Sequence, residues 1–180
     1  ITAVALAAAG LVLWIGARSS NSGAVKVTDA LDNLQGASLV PDGTTAAQVG
    51  DAAPDVTLDL LDGDSTRLSA FKGRPVVLNF WSSTCVPCLK EMPDIEQVWE
   101  SHDGKVAVVG VDVTDTEAAG RQMVAKTGVT YPNGRDPGAD VFALPRTVFI
   151  DADGTIVAVH NGALTASEIN TILSDHDLVG

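Results

Sequence analysis

Cys85 and Cys88 are the only cysteines in a chain of 180 residues, and they stand in the stretch VVLNFWSSTCVPCLKEMP, residues 76–93. An apolar run ends just before the pair, and a segment of helical character follows it. A cysteine at a helix start faces unpaired backbone N–H groups and the positive end of the helix dipole. Both favour thiolate over thiol, which makes Cys85 the acidic, reactive sulfur. Cys88 lies about one turn later on the same helical face, within reach of Cys85 for a bridge. Pro87 removes one amide and stiffens the link between them. A zinc site needs further Cys or His ligands at suitable spacing, and none is evident. A purely structural bridge across three residues closes too small a loop to stabilise much. The chemistry this pair suits is thiol–disulfide exchange, with Cys85 attacking and Cys88 resolving.

Around the pair, Glu91 shares the helical face of Cys88 by its spacing and could take the proton of a buried thiol; otherwise it is a solvated helix glutamate. Trp81, Met92 and Trp99 read as packing residues, with Trp81 also placed to wall the site. His102, His160 and His176 are scattered over loop, strand and helix and carry neither a metal nor a catalytic expectation. No metal and no cofactor is expected.

These residues need a scaffold. RPVVLNFW is a continuous apolar run of the kind found in a central strand covered on both sides. Residues 86 to about 101 read as a helix kinked at Pro93, and KVAVVGVDV as a second buried strand. DVTLDLLDGDSTRLS alternates around Asp62-Gly63 and reads as a β-hairpin. Thr114-x-x-Glu117 reads as a capping box opening a helix that ends near Thr127-Gly128. RTVFIDADGTIVAVH holds two strands joined at Asp153-Gly154, and Thr165-x-x-Glu168 opens the last helix. The order predicts an α/β domain: a mixed central sheet with helices on both faces.

Composition limits the function classes. Hydrophobic residues make up 46% and charged residues 19%, so the chain is not of disordered type. A net charge of −12, with no basic stripe, excludes nucleic acid as a partner. Residues 1–17, ITAVALAAAGLVLWIGA, carry no charge and no proline. As a helix they would span about 25 Å, against a hydrocarbon core of about 30 Å. They are expected to form a membrane anchor, with a signal-peptide h-region as the alternative. Residues 18–48 contain RSSNSG and PDGTTAAQ and read as a flexible linker. Residues 49–180 make the folded domain.

Delivery of a Cys-x-x-Cys from a strand end onto a helix start is the thioredoxin arrangement, and the likeness extends further. GDAAPDVTL (50–58), LSAFKGRPVVLNFW (68–81), CVPCLKEMP (85–93), YPNGRDP (131–137) and ALPRTVFIDADGTIV (143–157) together resemble the TlpA/ResA-type thioredoxin-like proteins. These are bacterial thiol–disulfide oxidoreductases tethered outside the cytoplasmic membrane. The resemblance implies that Pro145 is cis and lies opposite the Cys-x-x-Cys, and that Leu144 offers its backbone to a substrate peptide. It implies that residues 114–131 are the family's extra helix and strand. A glutamate three residues after the second cysteine is common there, and Glu91 occupies that position. Two residues depart from the pattern: Thr84 stands where Trp is frequent, and Asn79 stands where simple thioredoxins carry an acid. Arg146 stands where small polar residues are usual, which makes it a candidate partner contact.

The resulting expectation is a membrane-tethered, extracytoplasmic oxidoreductase with Cys85, Cys88 and Glu91 as its chemistry. Trp81, Thr84, Pro87, Leu144 and Pro145 would form its substrate contacts. Its partners would be a disulfide-bearing protein and a membrane thiol electron donor, in cytochrome c maturation or oxidase copper-site assembly. The alternatives are a peroxiredoxin-like peroxide reductase, whose Pro-x-x-x-Thr-x-x-Cys signature fails at Leu78, and a non-catalytic binding module of the same fold. A copper chaperone of the Sco type would need Cys-x-x-x-Cys.

Overall fold

The computed structural model describes residues 47–180 apart from 138, 140 and 142. The expected anchor and nearly all of the expected linker lie outside the described residues, among which no helix is long and apolar enough to cross a membrane.

Seven strands form one sheet in the order β2-β1-β5-β4-β3-β6-β7. They are β1 (Thr57–Leu60), β2 (Ser65–Arg67), β3 (Val76–Trp81), β4 (Ala107–Asp112), β5 (Asn133–Arg135), β6 (Arg146–Ile150) and β7 (Ile156–Asn161). The helices are α1 (Val86–Ser101), α2 (Glu117–Thr127) and α3 (Ala166–Asp175), and Leu68–Phe71 form a short 3-10 turn. The mixed character follows from the pairing: β3 is parallel to β4 and antiparallel to β6. The run VVLNFW is central, as its composition requires, and five of its six residues are buried. The hairpin turns at Gly63, whose φ of 106° favours a residue without Cβ.

Among the described residues the three α-helices lie on one face, where the element order suggested both, and the only helical element on the other face is the 3-10 turn. Cys88, Met92, Ile95 and Val98 of α1, Met123 of α2, and Ile169 and Leu173 of α3 share one cluster with Val77, Trp81 and Phe149. The opposite cluster holds Leu58, Leu78, Val109, Val111, Val148 and Ile150 and is covered by Leu68 and Phe71 of the 3-10 turn and by partly buried Ala139 and Val141. Handedness explains the difference. From β3 to β4 and from β4 to β5 the chain steps in the same direction across the sheet, so two right-handed crossovers put α1 and α2 on the same side.

Two local expectations also shift. The N-cap of α2 is Thr116, which accepts from the Ala119 N–H, and not Thr114. The backbone N–H groups of Thr114 and Asp115 are taken by the Asp112 carboxylate, so the helix starts later. The inserted strand begins at Asn133, past the expected 131, because Pro132 has no N–H for a ladder. The second capping box is present: Thr165 and Glu168 bond reciprocally. Gly128 ends α2 with a φ of 72°. Pro93 lies within α1, which continues through it.

Candidate active site

β3 ends at Trp81, and a tight turn follows, closed by the Cys85 N–H donating to the Ser82 carbonyl at 3.1 Å. The turn delivers Cys85 to the N-cap of α1 in an extended conformation (φ −83°, ψ 99°). Its Sγ accepts from the Cys88 N–H at 3.2 Å, so a helix-terminal amide already points at this sulfur. Pro87 lies in the first turn, where a missing N–H costs the helix nothing. Cys85 and Cys88 are joined as a disulfide with their Cα atoms 5.3 Å apart.

The two sulfurs have opposite surroundings. Cys85 is half-buried, between exposed Thr84 and exposed Val86. Cys88 is fully buried in the helix-side cluster. An incoming disulfide can reach only the first of them. Pro87 is exposed beside them, and Val86, 64% exposed, makes this surface apolar.

The Leu144–Pro145 peptide is cis. Phe80 of β3 pairs with Arg146 of β6, so Pro145 is carried to the same sheet end that feeds Cys85. Pro145 is buried and Leu144 half-buried. Arg146 donates from Nη1 to Asn161 Oδ1 at 2.9 Å.

Glu91 is not a solvated helix residue: it is 2% exposed. Its Oε1 accepts from Thr147 Oγ1 at 3.3 Å and, at the long distance of 3.4 Å, from Asn79 Nδ2. Asn79 Nδ2 also donates to Thr147 Oγ1 at 3.2 Å. Burial pushes the Glu91 carboxyl up from 4.5 to about 7; hydrogen bonding by Thr147 and by the Leu164 backbone opposes this, and the charge of Asp94 adds to it. Glu91 can therefore hold or release a proton near neutral pH, three residues along the helix from Cys88.

Trp81 does not wall the site. It is fully buried, and its indole Nε1 donates to Asn133 Oδ1 at 3.0 Å, so it offers no surface to a docked partner. Thr84 is exposed and within 3.2 Å of Ser82 Oγ. His102 is bonded to Asn170, Nε2 to Oδ1 at 2.8 Å. Among the described residues no three His, Cys, Asp or Glu side chains gather as a metal ion would need. Thr147 escaped the sequence reading, although it is a polar residue in the apolar run TVFI.

The family model described as Redoxin matches residues 48–173. The chain belongs to the redoxin family. Within it, the residues group with the TlpA/ResA-type proteins. Over 130 residues this redoxin is 35% identical to the thioredoxin-like protein YneN of Bacillus subtilis, covering 68% of this chain and 76% of that one. It is 31% identical over 134 residues to the thiol-disulfide oxidoreductase ResA of Halalkalibacterium halodurans, covering 71% and 76% of the two chains. Among solved structures, a DsbF homologue from Corynebacterium diphtheriae superposes with a TM-score of 0.64 at 28% identity, over 76% of this chain and 96% of that one. This redoxin is a thiol–disulfide oxidoreductase with a thioredoxin-like fold.

Proposed function

We propose that this redoxin is a membrane-tethered, extracytoplasmic reductant of protein disulfides. In this reading residues 1–17 are the anchor, 18–48 the linker and 49–180 the catalytic domain. The target is a cysteine pair in cytochrome c maturation or in assembly of an oxidase copper site, as the likeness to TlpA/ResA-type proteins suggests. The observation that carries the chemistry is the asymmetry of the pair: a half-buried Cys85 at the N-cap of α1, a fully buried Cys88 behind it, and Glu91 beneath with its carboxyl near pH 7.

The reaction begins with both cysteines reduced. The Cys85 thiolate attacks one sulfur of the partner disulfide, forms a mixed disulfide and expels the partner's other sulfur as thiolate. Cys88 gives its proton to ionised Glu91 and attacks Cys85 Sγ, which releases the partner's second thiolate. The partner gains two electrons, and Cys85–Cys88 is left oxidised. A membrane thiol donor then reduces the pair again. Thr84, Val86, Pro87 and Leu144 form the surface on which the partner chain rests, beside Pro145.

Cys88→Ser tests this directly. Attack by Cys85 should proceed and resolution should stop, so a reducible high-mass adduct accumulates in cells, and mass spectrometry identifies the partner. Cys85→Ser should trap nothing. If Cys85→Ser traps a partner and Cys88→Ser does not, the two roles are reversed. The potential of the pair fixes direction: a value near that of thioredoxin supports a reductant, and one in the DsbA range sinks that choice.

A further inference from the structure

The inserted unit, α2 with β5, reaches the redox turn through one side chain outside the Cys-x-x-Cys helix. Asp115 lies in the connection from β4 to α2. Its Oδ2 accepts from the Ser83 backbone N–H and its Oδ1 from Ser83 Oγ at 2.7 Å. Ser83 stands two residues before Cys85, inside the turn that sets the sulfur at the helix N-cap.

Asp115 is itself held at both ends of its backbone. Its N–H donates to Asp112 Oδ1 at 2.9 Å, and its carbonyl accepts from Arg135 Nη2. Asp112 is buried at the end of β4, with Arg135 Nε 4.0 Å from its Oδ2. Space for that carboxylate comes from α2: a Cβ on Gly120 would lie 2.6 Å from Asp112 Oδ2. A connecting turn at a sheet end needs none of this bracing to join a strand to a helix. Here β4, α2 and β5 all contribute to fixing the one residue that grips the turn before Cys85.

The carboxylate has an electrostatic consequence as well. The N-terminus of α1 favours a thiolate on Cys85. A carboxylate hydrogen-bonded to Ser83, which stands two residues before Cys85, places a negative charge beside that turn and opposes it. Reduction of the pair creates that thiolate and oxidation removes it. A group that disfavours the thiolate therefore stabilises the disulfide relative to the dithiol and makes the pair a stronger reductant.

We propose that Asp115 is a positioning residue that sets the redox balance of the Cys85–Cys88 pair, by clamping Ser83 and by holding a negative charge beside the Cys85 turn. The inserted helix and strand are thus a brace for the redox centre. This rests on Cys85–Cys88 being the exchanging pair, and the test separates the two. The full chain is equilibrated with reduced and oxidised glutathione at pH 7, where the disulfide plus two glutathione thiols gives the dithiol plus one glutathione disulfide. Asp115→Asn keeps the shape and removes the charge. It should raise the equilibrium constant for reduction up to about threefold, about 14 mV toward the oxidising side. It should also lower the midpoint of Cys85 alkylation against pH by about half a unit. Ser83→Ala and Asp115→Ala should be non-additive in the double variant, since they remove the same contact. An Asp115→Asn constant within about 1.5-fold of wild type, or a shift in the reducing direction, overturns the charge effect. An additive cycle overturns the clamp. If Asp115→Ala does not fold, Asp115→Asn paired with Ser83→Ala completes the cycle. A wild-type pair that never equilibrates with glutathione overturns the exchange reading and this inference with it.

Discussion

Asn79, Glu91, Asp112, Asn133 and Thr147 are buried on the side of the sheet where α1, α2 and α3 pack, among Trp81, Met92 and Phe149. On the other side the buried apolar set is Leu58, Leu68, Phe71, Val76, Leu78, Val109, Val111, Val148, Ile150 and their apolar neighbours; the one further buried polar residue described, Ser82, lies beyond the end of β3 in the redox turn. The loop-covered side stabilises by removing apolar area from water, at roughly 25 cal/mol per Å². The helix-covered side does the same and in addition buries groups whose desolvation costs free energy unless they find partners. That cost is gathered behind the Cys-x-x-Cys helix, where proton transfer needs it. One side of the sheet is for holding, and the other combines holding with chemistry.

The largest effect should come from breaking the holding side. Leu78→Ala leaves a cavity under the 3-10 turn and should cost about 3 kcal/mol or more in urea unfolding. Exchange rate per folded molecule should stay within about twofold of wild type, since Leu78 points away from Glu91 and Cys88. A large loss of exchange by fully folded Leu78→Ala would mean that the two sides are not separable.

Next comes Glu91. Its carboxyl is raised to about 7 in the folded chain against 4.5 ordinarily. The stability it contributes is complete below about 4.5 and is lost as pH rises through about 7, to a total of about 3 kcal/mol. Glu91→Gln cannot ionise, so it should be the more stable protein at pH 8 by up to that amount, with no difference near pH 4. Resolution by Cys88 should meanwhile slow about 100-fold at pH 7. Parallel pH dependence of unfolding in wild type and Glu91→Gln would show that Glu91 does not titrate in this window.

Much of this division could be read in the sequence, and particular residues explain the rest. The run VVLNFW identifies β3 as central, and its one polar member, Asn79, falls on the chemical side. The nucleophile follows from the spacing of Cys85 and Cys88, and cis Pro145 followed from resemblance. Glu91 was ambiguous because helical spacing gives a face and not its cover: only β6 passing beneath α1 turns a surface glutamate into a buried one. Thr147 became a partner of Glu91 through a pairing 56 residues apart in sequence. The Asp115–Ser83 contact spans 32 residues and depends on where α2 begins. The side on which the helices pack was misread because element order alone does not give strand order, and strand order fixes the crossovers. Trp81 was misplaced because position next to the redox turn does not say which way an indole points.

Gly110 offers a smaller break, on the chemical side. A Cβ there would lie 2.0 Å from Asn133 Oδ1 and 2.8 Å from Trp81 Nε1, so the indole–amide bond occupies the space a side chain would need. Gly110→Ala should cost about 2 kcal/mol by displacing both groups. Gly134 faces the other cluster, where a Cβ would meet Leu58 Cβ at 3.0 Å. Gly134→Ala should cost about half as much, because the approach is 3.0 Å and not 2.0 Å and displaces no hydrogen-bonded side chain, even though Leu58 Cβ and the Asp59 carbonyl at 3.3 Å move only with the backbone. Equal costs in matched thermal scans would argue that the Trp81–Asn133 bond contributes nothing beyond packing.

The smallest effect tests the tuning of Glu91. Thr147 Oγ1 donates to Glu91 Oε1 and accepts from Asn79 Nδ2. Its hydrogen bond favours the charged carboxylate, against the larger effect of burial. Thr147→Val keeps the shape and removes the hydroxyl. The carboxyl should move further up from about 7, by roughly half to one unit. Stability below pH 5 should change by no more than about 1 kcal/mol, since Glu91 is neutral there in both proteins. The pH profile of Cys88-dependent resolution should shift alkaline by the same interval as the carboxyl, because the proton acceptor is then ionised only at higher pH. Glu91→Gln in the same background should abolish the shift, since nothing is left to titrate. An acid shift in Thr147→Val, or an unchanged profile that persists with Glu91→Gln, would assign the titration to another group and leave Thr147 a packing residue with a satisfied hydroxyl.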